Sequence, residues 1–172
     1  MTSRDAGPEE ILLPVKPAFV AASLFGGLLL NLLPWSGYAL WLRPDFVSLV
    51  VLYWCIEQPR RFGFLAAWSL GLLMDVADGT LFGQHALAYS ILAYAGLVLH
   101  RRVRSFPLSQ QVLHVIPLLL LNDAIVLLLR MGTGSEFPGF QYFIGAIVGG
   151  LLWAPVSVLL KLPQHPKLPA DA

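Results

Sequence analysis

Six apolar stretches, 17–33, 44–57, 62–76, 81–99, 107–129 and 140–160, divide the chain, with only short polar interruptions between them. A membrane-spanning helix takes about 20 mostly apolar residues, usually about 17–25. Four of the six stretches meet that length, while 44–57 and 62–76 are short, so length alone leaves five or six spans. Pro44 and Pro107 suit the first turn of a helix, where the missing N–H costs nothing. Pro117 and Pro155 fall inside stretches and predict kinks. The beginning, "MTSRDAGPEEILLPVKPAF", is acidic and proline-broken and shows no small-residue cleavage site, so the first apolar stretch is expected to stay as a spanning helix.

Composition agrees with this reading. Apolar residues make up 57% of the 172 positions and charged residues 12%; mean hydropathy is +0.71. Soluble domains carry about 25% charged residues, so a water-soluble fold would lack the polar surface to cover itself. The expected class is an all-α integral membrane protein. It has one transmembrane helical domain over 17–162, flanked by cytoplasmic tails at 1–16 and 163–172. The second tail is proline-rich and expected to be unstructured. A net charge of +1 gives no basic surface for nucleic acid. The single cysteine, Cys55, excludes an internal disulfide and sits in an apolar run as a buried thiol.

Basic residues decide the count. With six spans and a cytoplasmic N-terminus, Arg4, Lys16, Arg60, Arg61, Arg101, Arg102, Arg104, Lys161 and Lys167 lie inside and only Arg43 and Arg130 outside. That bias is the one the positive-inside rule predicts. If 44–57 did not span, Arg60-Arg61 and Arg101–Arg104 would fall on opposite sides. Trp35, Tyr38 and Trp41 then make an aromatic belt at the outer interface.

The polar residues inside apolar stretches carry whatever chemistry there is. Gly63, Ala67, Gly71, Asp75 and Gly79 recur every four residues, a stripe of small side chains that lets another helix approach and turns Asp75 toward protein. Asp75 has three readings: a hydrogen-bond hub, a ligand or ion contact, or a partner-facing group. Asp78-Gly79-Thr80 reads as a turn, with Asp78 or Thr80 capping the next helix. Gly83 follows beside Gln84 and His85, and His85 suits a capping or interfacial place. Asn122 and Asp123 lie midway along an apolar stretch, either bonding between helices or lining a polar cavity. Arg43 is placed to contact Asp45 at the outer interface. Further small-residue stripes run through Ala18, Ala22 and Gly26, and through Gly145, Ala146, Gly149 and Gly150. No GxGD, G-x-S-x-G, phosphate loop or metal-binding histidine pattern occurs, so no residue is expected to be catalytic and no cofactor or metal is expected.

Arg43-Pro44, Leu52-Tyr53-Trp54, Pro59–Arg61, Gly71 with Asp75, Gly79, Leu81–Gly83 and Ala86-Leu87, followed by Gln110-Gln111, Asp123 and Leu152-Trp153, form an ordered set over roughly 40–155. This set resembles the MreD family of bacterial rod shape-determining proteins. It differs at 54–58, which is more polar, and in the proline-rich tail. The resemblance implies a multi-pass protein of the cell inner membrane. Its bundle would be similar to the substrate-binding subunit of energy-coupling-factor transporters. It further implies a role in the cell-elongation machinery (the elongasome) that supports peptidoglycan synthesis. MreC is then the first partner, with MreB, RodA and penicillin-binding protein 2 in the wider complex, and homodimerisation is left open. Read from the residues alone, a scaffold stands beside a transport subunit that binds a small molecule, with Asp75 and Asp123 in its pocket.

Overall fold

The computed structural model describes residues 15–80 and 83–164. Most of the two tails, and Leu81 and Phe82 of the matched set, lie outside those residues. The described residues form helices and no strands: α1 (Pro17–Leu32), α2 (Tyr38–Leu42), α3 (Phe46–Glu57), α4 (Phe64–Ala77), α5 (Gln84–Arg104), α6 (Leu108–Gly132) and α7 (Ile144–Lys161). Short 3-10 turns, Phe140–Phe143 and Leu162–Gln164, flank α7.

Two proline expectations shift by a position or two. Pro44 precedes the N-cap Asp45, and Pro107 is itself the N-cap of α6, so neither sits in a first helical turn. Both α6 and α7 run through their internal prolines. The start of the expected C-terminal tail is packed: Gln164 is buried and donates from Nε2 to Leu160 O at 2.8 Å, with the Tyr53 hydroxyl 3.4 Å away.

α3 is the axis of the molecule. Every residue from Val47 to Ile56 is buried, because α3 is apolar all round and has α1, α5, α6 and α7 against it. This explains its shortness: a helix enclosed by protein need not meet the lipid along its whole length. Gly96 of α5 admits Leu52 and Cys55 of α3, and an added Cβ there would stand 3.0 Å from both side chains. Tyr53, Trp54 and Trp153 interlock beside it, with ring centroids 5.0 Å and 6.0 Å apart.

The remaining helices close the bundle in pairs. α4 lies along α5, and α6 packs on both α5 and α7. At Gly71 an added Cβ would overlap the backbone of His85 and Ala86, so α4 and α5 touch main chain to main chain. Gly145 meets the carbonyl of Arg43, Gly149 meets Leu119 and Pro44, and Gly150 meets Ile116, so the stripe on α7 is a packing face. The expected stripe on α1 is not. Ala22 is exposed and none of the described residues lies within 4 Å of a Cβ added at Gly26; α1 approaches α3 through Gly27, where an added Cβ would stand 3.2 Å from the carbonyl of Phe46.

Large apolar side chains point outward (Phe25, Leu65, Val98, Leu113, Leu128, Leu159), while Asn31, Asp75, Gln84, His85 and Asn122 are buried. Water-soluble monomers do not present apolar surface on this scale. Three stretches, Tyr38–Glu57, Leu108–Gly132 and Phe140–Gln164, are long and apolar enough to cross a membrane, and α1 and α4 are shorter apolar helices.

The ends of α3, α5 and α7 meet one another near the start of α1, and the ends of α1, α4 and α6 meet the starts of α3 and α5, so the six longer helices alternate in direction and the charges sort by end. Glu57 closes α3 at one end, with Lys161 Nζ at 3.2 Å and Arg104 Nε at 3.6 Å, and Arg61 donates to Val15 O at 2.9 Å beside the start of α1. The other end gathers Arg43, Asp45, Asp75, Asp78, Asp123 and Arg130.

Candidate functional site

At this acidic end α4 stops and α5 begins, and the turn between them is wrapped around one carboxylate. Asp75 is the third-last residue of α4 and is 1% exposed. Its Oδ2 accepts from Gly83 N at 2.7 Å and Ala86 N at 3.4 Å, and its Oδ1 accepts from His85 N at 2.8 Å. His85 Nδ1 lies 2.9 Å from Oδ1, within hydrogen-bond reach of the carboxylate. Asp75 is thus the N-terminal cap of α5, reached from the preceding helix. The N-terminus of a helix offers unpaired N–H groups and the positive end of its dipole, so an anion there is favourable.

The glycines make that reach possible. Gly71, one turn before Asp75, brings α4 onto α5. Gly79 and Gly83 take φ of +60° and +106°, backbone that L side chains rarely adopt, and so reverse the chain within the turn. This corrects the expectation that Asp78 or Thr80 caps the helix. Asp78 ends α4 and turns outward, with His85 Nε2 3.9 Å from its carboxylate, and Thr80 bonds back to Asp75 O through its N–H at 3.0 Å. Ala67, Gly71 and Asp75 are the buried part of the expected stripe; Gly63 caps α4 and Gly79 is exposed.

A second acid ties α1, α3 and α5 together. Asp45 Oδ1 accepts from Val47 N and Ser48 N at 3.1 Å each, capping α3, and from Asn31 Nδ2 of α1 at 2.8 Å. Its Oδ2 accepts from the Tyr89 hydroxyl of α5 at 2.7 Å. Asn31 Oδ1 in turn accepts from Phe46 N at 2.9 Å. The expected Arg43–Asp45 pair does not form, because Asp45 is fully engaged elsewhere. An Asp directly before an apolar run is a helix-start signal, and it marks Asp45 in "RPDFVSL".

Between these knots and the start of α7 lies a cavity of about 400 Å³. Asp45, Asp78 and Asp123 reach it, as do Arg43, Asn122 and Arg130. Asp75 does not line it, being used up by α5. Gln84 and Arg130 are a further pair that sequence reading passes over: Arg130 Nε donates to Gln84 Oε1 at 3.2 Å, joining the end of α6 to the start of α5. They are 46 positions apart, so no local pattern marks them.

Residues 15–162 match the family model described as rod shape-determining protein MreD. The chain belongs to the MreD family. It is 30% identical over 132 residues to the rod shape-determining protein MreD of Haemophilus influenzae, a span that covers 77% of this chain and 82% of that protein. No solved structure matches. Family membership supports a role in determining rod shape. In this MreD-family chain, three pieces of the resemblance meet at one contact: Gly71 and Asp75 of α4 against Gly83 and Ala86 at the start of α5. Leu52–Trp54, Gln111 and Trp153 meet at another, where Trp153 Nε1 donates to Gln111 Oε1 at 2.9 Å beside Tyr53. Asp123 and Arg43 belong to the cavity.

Proposed function

We propose that the chain is a non-catalytic, multi-pass scaffold of the cell inner membrane that maintains rod shape by supporting peptidoglycan synthesis together with MreC. The carrying observation is how its buried carboxylates are used. Buried Asp75 and half-buried Asp45 are each surrounded by donors from the fold: Asp75 locks α4 to the α5 that follows it, and Asp45 joins α3 to α1 and to the more distant α5. Such groups make a rigid body with defined outer faces, which is what an assembly platform needs. Alternating helix directions and the concentration of most basic residues at one end support six spans with both termini cytoplasmic. On that reading the Arg101–Arg104 segment faces the cytoplasm, where MreB would lie, and the acidic end faces outward. RodA and penicillin-binding protein 2 complete the wider assembly, and the bundle is similar to the substrate-binding subunits of energy-coupling-factor transporters.

The test is mild-detergent purification of the chain from its native cell, with mass spectrometry of what accompanies it. Recovery of MreC is the expected result. Recovery of an ATPase module in its place would replace the scaffold reading with that of a transport subunit.

A further inference from the structure

The cavity at the acidic end holds charges of both signs that the fold leaves unneutralised. Among the described residues, neither Arg43 nor Arg130 is in ion-pair contact with a carboxylate. The hydrogen bond given to Asp123 is from Asn122 Nδ2, at 3.4 Å. Asn122 also lines the cavity and is 1% exposed, yet among the described residues its Oδ1 has no partner. Buried polar atoms in folded proteins are nearly always paired, so an orphaned acceptor beside a cavity points to a donor that the chain itself does not supply.

We infer that this cavity binds a small zwitterion, with its ammonium group on Asn122 Oδ1 and the Asp123 carboxylate and its anionic group on the Arg130 guanidinium. The argument is one of charge. A lone cation would leave Arg130 unpaired, a lone anion would leave Asp123 unpaired, and a neutral molecule would pair neither. A metal ion fits poorly: among the described residues no group of three His, Cys, Asp or Glu side chains is arranged to hold one, and two guanidinium groups would repel it. Asp123 and Arg130 are seven residues apart on α6, hence on one face and about 10 Å apart along the axis, a gap that the long arginine side chain shortens. Gln84 Oε1 holds the Arg130 side chain in place and occupies only its Nε, leaving its terminal nitrogens available. Trp41, Val126 and Tyr142 supply apolar wall. The volume, about 400 Å³, suits a free amino acid or the ethanolamine phosphate headgroup of a phospholipid. The site is independent of the scaffold reading.

The full chain is purified in detergent and its thermal midpoint followed by labelling of the buried Cys55. The probes are O-phosphoethanolamine and alanine, with ethanolamine and inorganic phosphate as single-charge controls. At millimolar concentration a zwitterionic probe is expected to raise the midpoint by several degrees, and the single-charge probes are not. Asp123→Asn and Arg130→Gln should each weaken that binding tenfold or more. Arg130→Lys keeps the charge and should retain most of it; the midpoint of each variant without probe separates lost binding from lost fold. Native mass spectrometry from nanodiscs containing phosphatidylethanolamine and phosphatidylglycerol distinguishes the sources. Selective retention of phosphatidylethanolamine, lost in both charge-removing variants, identifies a headgroup, and a response to the soluble probes identifies a free ligand. Equal response to ethanolamine or phosphate alone, binding that survives both charge-removing variants, or no response in either format would overturn the proposal.

Discussion

Removing the Asp75 carboxylate tests the central joint of the fold. Asp75→Ala deletes two short bonds from the main chain of α5, at 2.7 Å and 2.8 Å, and one from the His85 ring at 2.9 Å. A hydrogen bond to a charged group contributes about 1.5–3 kcal/mol, and a lost helix cap costs about 0.5–2 kcal/mol. The terms overlap, and water from the neighbouring cavity recovers part of the loss, which leaves a destabilisation on the order of 4 kcal/mol. For a chain of this size each kcal/mol moves the midpoint by roughly 2–4 °C, so the expected drop is about 10 °C. Cys55 is the single cysteine of the chain and is buried, which makes a thiol-reactive fluorophore a direct reporter of unfolding. Asp75→Asn should fall between, because its amide keeps one acceptor but turns an NH2 toward backbone donors. Asp78→Ala should change stability by less than about 0.5 kcal/mol, because Asp78 is exposed and its contact with His85 is long, at 3.9 Å. A midpoint for Asp75→Ala within about 2 °C of wild type would refute the view of Asp75 as the cap that holds α4 to α5. In cells lacking the native protein, Asp75→Ala should give wide or round cells together with a lowered membrane level; round cells at normal level would assign Asp75 to a partner or ligand instead.

Gly71→Ala forces a methyl group into the α5 backbone and should lower the midpoint strongly, whereas Gly26→Ala, with open space around it, should be neutral or gain up to about 1 kcal/mol of helix propensity; equal effects in the Cys55 assay would contradict the packing at Gly71. A double-mutant cycle between Glu57 and Lys161 should give a coupling of about 1–2 kcal/mol, and one between Glu57 and the half-exposed Arg104 less than about 0.5 kcal/mol; the reverse order would contradict the geometry of this end. On the six-span topology, an impermeant thiol reagent applied to intact cells should label Ser36→Cys and Ser135→Cys and spare Ser105→Cys, and labelling at Ser105→Cys would reverse or break that topology.

The positions and approximate extents of the six longer helices were legible in the chain because they depend on local composition, whereas the short α2 was not anticipated. Runs of apolar residues interrupted by Pro59–Arg61 or by Asp78–Thr80 have few other solutions when only 12% of positions are charged. The four-residue spacing of Ala67, Gly71 and Asp75 was enough to turn Asp75 inward, and the same logic held for Gly145, Gly149 and Gly150. Periodicity names a face, however, and not the neighbour that covers it. Gly26 and Gly27 differ by one position, about 100° around α1, and only the placement of α3 decides that Gly27 is the contact. Capping by Asp75 rather than Asp78 follows from a turn that folds α5 back beneath α4, through positive φ at Gly79 and Gly83. Asp45 with Tyr89, Glu57 with Lys161, and Gln84 with Arg130 pair residues more than 40 positions apart. The sequence by itself determined that this chain is a helical bundle with an apolar outer surface and a few polar side chains turned toward protein. Only the tertiary structure decided which acids are spent on holding helices together and which charges are left facing a cavity, because a hydrogen bond depends on separations of a few ångströms that helices distant in sequence set by their packing.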